Sequence, residues 1–129
     1  MTLRVYTAHR SYAGADRLDV TIKEQDPVGR VFAPAPEDFR TYSTLKKAGL
    51  LTLEAWETYA KAYRAHMARS ASDRADEWAR LLARSEVTLV CFCVEPSFCH
   101  RRLLGEILRE KGAVVLGERP KTRRGDAAE

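Results

Sequence analysis

The stretch from Val87 to Gly117 constrains this chain more than any other. Val87 to Cys93 is almost unbroken in apolar, β-favouring residues, which reads as a central strand buried on both faces. Leu103, Leu104, Ile107 and Leu108 then recur at helical spacing, with Ser97 available as an N-cap and Gly112 as a stop. Ala113 to Gly117 follows as a short strand. Strand, helix and strand in about thirty residues make a βαβ unit, with parallel strands and a right-handed crossover.

The upstream sequence supplies further strands and helices. Leu3 to Thr7 and Leu18 to Ile22 each alternate apolar and polar residues, as half-buried strands do. Ser11, Gly14 and Asp16 punctuate the link between them, which is short for a helical crossover, so their relative direction stays open. Asp26 to Gly29 reads as a turn, and Pro34 and Pro36 bar a helix before Glu37. Phe39, Tyr42 and Leu45 predict a helix ending at Gly49. Thr52 then caps a long amphipathic helix carrying Leu53, Trp56, Ala60, Tyr63 and Met67 on one face. Ser70 to Asp73 interrupts it, and a further helix presents Trp78, Leu81 and Leu82. The expected architecture is a single three-layer α/β domain over residues 1–118, with a small, mainly parallel sheet. Its helices pack through Leu53, Trp56, Tyr63, Met67, Trp78, Leu81, Leu104 and Leu108.

Composition narrows the function classes. A chain of 129 residues suits one domain, and 45% hydrophobic with 31% charged residues suits neither disorder nor a membrane span. The amino-terminal residues lack the apolar core of a secretory signal. Three cysteines, all between Cys91 and Cys99, do not make a disulfide framework, so a reducing cytoplasm is the expected compartment. The net charge of +4 hints at polyanions, but Arg119 to Glu129, a mobile basic tail on this reading, carries four basic and two acidic residues. The rest holds 18 basic against 16 acidic, so the domain is no general polyanion binder.

Chemistry concentrates in Cys91 to Arg102, where the central strand ends and a helix begins. Open α/β sheets bind ligands beyond their strand ends, and helix starts favour anions. Arg101 and Arg102 carry forked donors that suit a phosphate. The leading expectation is binding of a phosphate-bearing ligand such as a nucleotide or nucleic-acid end, with its processing as an optional extension. Arg101 grips the anion, Cys99 and His100 are the catalytic candidates, and Arg102, Cys91 and Cys93 lie beside them. His9 and Arg10 join this crevice, with Thr7, Thr21 and Lys23, if the strand ends all point one way. Asp19, a charge inside a strand, requires water or a partner such as Arg17 or His9.

Two rival readings use the same residues. A thiol at a helix start beside His and Arg gains thiolate character, which makes Cys99 a candidate nucleophile. The tyrosine-phosphatase spacing is missing, since Cys93 and Cys99 are followed six positions later by Cys99 and Gly105, not arginine. Cys91, Cys93, Cys99 and His100 are also zinc- or iron-type ligands. Adjacent Cys99 and His100 should diverge at a helix start and no CxxC is present, so no metal is expected. A non-enzymatic interaction module is the third class, and the residues name neither a cofactor nor a protein partner.

The strand ending Cys91-Phe92-Cys93, then Cys99-His100-Arg101 and Leu103-Leu104, resembles the family catalogued as domain of unknown function 488. Arg17 to Thr21, Phe32-Ala33-Pro34 and Trp56 with Tyr59 and Tyr63 look like a phage-associated branch of it, over residues 3 to 118. The resemblance implies one α/β domain with a parallel sheet and a site at Cys99, His100 and Arg101. It implies no activity.

Overall fold

A computed structural model describes residues 2–21, 27–91 and 99–120. In chain order the elements are β1 (Arg4–His9), β2 (Arg17–Asp19), α1 (Pro27–Val31), α2 (Pro36–Lys47) and α3 (Leu53–Asp73). They continue with α4 (Ala75–Leu82), β3 (Glu86–Cys91), α5 (His100–Glu110) and β4 (Val114–Glu118). The strands form one sheet in the order β2-β3-β1-β4, and every neighbouring pair is parallel. This is the expected α/β domain with a small parallel sheet, and it gives β1 and β2 the same direction. β4 pairs with β1, so the crossover through α5 steps over one strand. All carboxyl ends therefore lie along one edge, which carries His9, Asp19, Cys91 and Glu118.

Alternation along the strands divides the sheet's two faces. Val5, Leu18, Val87 and Leu89 join a single apolar cluster with Phe32, Tyr42, Tyr59, Tyr63, Met67, Trp78, Leu81, Leu104 and Leu108. The Tyr63 hydroxyl is buried there and donates to the Phe32 carbonyl at 2.8 Å. Thr52 caps α3 by accepting from the Ala55 N–H at 3.0 Å, as its sequence position predicts.

Four local expectations shift. Pro27 opens a short helix where a turn was predicted, because proline suits the first helical position. Leu53 is 65% exposed, since the buried stripe of α3 runs through Tyr59, Tyr63 and Met67 at a spacing of four. The break after α3 falls at Arg74, beyond the capping residues. β2 ends at Asp19, and Ile22 lies outside the described residues.

On the opposite face, among the described residues, the cover is a loop and one arginine, not the helical third layer that the sequence predicts. The Arg119 guanidinium lies 3.7 Å over the Tyr6 ring. It pairs with Glu86 at 2.7 Å and Asp16 at 3.4 Å, and donates to the Thr88 hydroxyl at 2.9 Å. Its backbone N–H donates to the Thr7 carbonyl at 2.7 Å. Burial opposes ionisation of Asp16, but hydrogen bonds from Thr88 and Tyr12 and the charge of Arg119 leave its carboxyl below the usual range. Arg119, placed by sequence at the head of the tail, is thus bound to the sheet, and residues 121–129 lie outside the described part. Among the described residues, no helix is long and apolar enough to cross a membrane.

Candidate active site at the carboxyl edge of the sheet

The alternation that buries Leu89 carries Cys91 to the same, helix-covered side of the sheet. Cys99 is the N-cap of α5 in extended backbone conformation, so its sulfur sits where the helix dipole is positive. The two elements converge and bring the Sγ atoms of Cys91 and Cys99 against each other. Arg101 stands in the first turn of α5 and is 0% exposed. Its Nη1 donates to the Cys91 Sγ at 3.0 Å and lies 3.8 Å from the Cys99 Sγ.

A buried guanidinium requires a counter-charge. Glu118 supplies it with a two-pronged contact: Arg101 Nε donates to Oε1 at 3.2 Å and Nη2 to Oε2 at 2.8 Å. The Thr7 hydroxyl donates to the same Oε1 at 2.6 Å. A β-bulge puts Glu118 there. Val115 pairs with Val5 but Gly117 pairs with Tyr6, so Leu116 is the extra residue. Simple alternation from Val115 would send Glu118 to the opposite face, and the bulge returns it to the helix side. Gly117 makes this possible with φ of 123°, a conformation that side-chain-bearing residues rarely adopt.

His100 is buried against Tyr63, ring centroids 5.7 Å apart, and its Nε2 lies 2.8 Å from the Val20 carbonyl. A carbonyl only accepts, so Nε2 carries the proton and Nδ1 is the basic nitrogen. Burial dominates and lowers its pKa to about 4; the Arg101 charge acts the same way, while the Val20 bond and Asp19 oppose it. The ring is neutral at pH 7. Asp19 pairs with Arg17 at 3.1 Å and Arg10 at 3.4 Å, and accepts from the Thr21 N–H at 3.0 Å. Its register partner is Val90, so Asp19 and Arg10 stand across the sheet from the sulfurs. His9 is in register with Cys91, and its Nδ1 meets Ser11. Arg102 points outward, 3.7 Å from Glu106. Cys93, Lys23 and Ser97 lie outside the described residues.

The donor atoms of Cys91, Cys99 and His100 all lie within 4.8 Å of one another, so the neighbouring Cys99 and His100 converge rather than diverge. Two sulfurs and an imidazole are ligands for a soft cation. The Arg101 guanidinium beside Cys91 already occupies the place of a positive charge, however, and favours an anionic sulfur instead.

A parallel α/β domain with buried cysteines and an arginine at its strand ends is a class that carries ligand chemistry at that edge. The chain matches the model of the active DUF488-N3 subclade, DUF488-N3a, over residues 2–112, and it belongs to that family. No curated protein and no solved structure matches it. Sequence reading found Cys91, Cys99, His100 and Arg101 together, but not the contact of the two sulfurs or the part of Glu118. The signal for the latter was a glycine before a lone acid at the end of the last strand, which gains meaning only once β4 lies beside β1.

Proposed function

We propose that the site works through sulfur: the protein is a cysteine-dependent enzyme in which Cys99 is the nucleophile and Cys91 the thiol beside it. One observation carries this reading. A wholly buried guanidinium touches the sulfurs and is fixed from behind by Glu118. Such an arrangement, at a helix N-terminus, favours thiolate over thiol. Description of the family as an active subclade supports catalysis. His100 serves by tying the start of α5 to Val20, just past the end of β2, because a ring kept neutral by burial cannot pair with a thiolate as imidazolium. Sulfur chemistry of this kind suits the cytoplasm. The test is labelling of reduced protein by iodoacetamide at pH 7. Wild type labels at Cys99, and Arg101→Gln slows labelling about tenfold, one pKa unit of lost stabilisation, while circular dichroism reports an intact fold. Equal rates in folded protein would refute the reading.

A second reading concerns the ligand, and Arg102 with Arg109 beside the site favours it: the ligand bears a phosphate, as a nucleotide or nucleic-acid end does. Arg101 is committed to Glu118, so the grip passes to Arg102 and Arg109. Titration of mononucleotides and short oligonucleotides against wild type and Arg102→Ala tests this. Equal affinity in both, or none in either, would refute it.

A further inference from the structure

α5 and β4 enclose a cleft of about 330 Å³ whose walls are Gly105, Val115 and Gly117, with Thr7 and Glu118 at one end and Arg102, Glu106 and Arg109 at the rim. That volume falls within the range of roughly 300–1,000 Å³ typical of small-molecule sites. Gly105 is buried in the middle of α5, where glycine weakens a helix relative to alanine. Packing does not explain it. A Cβ at Gly105 would meet only the Val115 methyls, at 3.9 Å, an ordinary contact. What that Cβ would take up is the cleft itself. Gly117, on the strand, presents a second stretch of bare backbone to the same space.

The result is a slot cut by two glycines and ending on the Glu118 carboxylate, which remains 32% exposed on its side chain. Glu118 is an acceptor, so it selects a group that donates, such as a ring amino group. At the rim, Arg102 and Arg109 are seven residues apart on α5, about two turns, and so lie on one side of the helix. Arg109 brings a second positive charge to this rim, where Glu106 offsets part of the charge of Arg102. Bare walls suit a flat ring, the acid suits an amino group, and the rim suits a phosphate.

We infer that this slot holds an amino-bearing nucleoside monophosphate, with its ring between Gly105 and Gly117 and its phosphate at Arg109 and Arg102. The inference rests on the phosphate reading given above and adds the place and shape of the ligand. The full chain, under reductant, is titrated with adenosine monophosphate, cytidine monophosphate, adenosine and inorganic phosphate. Both nucleotides bind wild type more tightly than adenosine or phosphate alone. Gly105→Ala binds them about tenfold more weakly, yet melts at the same or a higher temperature, because alanine favours the helix. Arg109→Ala weakens the nucleotides but not adenosine.

Nucleotide binding that ignores Gly105→Ala would overturn the slot and leave the phosphate reading standing. Failure of any nucleotide to bind wild type would overturn both. Labelling of Cys99 in the same samples reports separately on the sulfur reading.

Discussion

Replacing His100 by glutamine should flatten the acid end of the stability curve. In the folded protein His100 titrates at about 4 because it is buried, while in the unfolded chain it titrates near 6.5. The unfolded state therefore takes up a proton first as pH falls. Stability is complete above the unfolded value and is lost between pH 6.5 and 4. The difference of about 2.5 units corresponds to about 3 kcal/mol at full titration, a large part of a typical domain stability of about 5–15 kcal/mol. Urea unfolding at intervals from pH 7.5 to 4, under reductant, measures it. The share of His100 in wild type should be a loss of up to about 1.4 kcal/mol per pH unit in that window. In His100→Gln the amide can still donate to the Val20 carbonyl but does not titrate, so most of that slope disappears. Burial and the Arg69 charge also depress His66, a half-buried group whose share survives in both proteins. The Asp16 carboxyl is held down as well, so its loss belongs to lower pH. A His100→Gln protein that lost stability as steeply as wild type would show that His100 is not held neutral in the core.

Gly117→Ala forces a side chain onto φ of 123°, and should cost about 1–3 kcal/mol while turning Glu118 away from Arg101; thermal melting with iodoacetamide labelling checks both effects, and an unchanged melt would disprove the bulge. Thr52→Ala removes the side-chain acceptor for the Ala55 N–H at the head of α3 and should cost about 1 kcal/mol in urea unfolding, with labelling of Cys99 unaltered.

Much of this fold is written in local pattern. The run into Cys91, the stripe of α5 and the stop at Gly112 each follow from periodicity and punctuation, which act over a few residues. The parallel order β2-β3-β1-β4 is a long-range outcome, and with it came the meaning of Glu118. In sequence Glu118 stands seventeen residues from Arg101 and looks like the edge of a polar tail; only a bulge at Leu116 and pairing of β4 with β1 bring the two together. Arg119 tells the same story on the opposite face, where Tyr6, Asp16 and Glu86, remote in the chain, capture it. Arg101 shows the reverse limit. Its place in the site was legible from the Cys-His-Arg run, but whether it faces a ligand or a buried carboxylate depends on its depth, which residue type alone does not encode. The contact of the Cys91 and Cys99 sulfurs likewise depends on how α5 starts against β3.

The pH dependence of Cys99 alkylation tests the central claim most directly. Reduced protein is labelled with iodoacetamide from pH 5 to 10, and the rate at Cys99 is followed by mass spectrometry of its peptide. A thiol supported by Arg101 and the start of α5 should give a midpoint well below the free value of about 8.5, moving up toward it in Arg101→Gln. A wild-type midpoint at or above that value, unmoved in folded Arg101→Gln, would contradict the account.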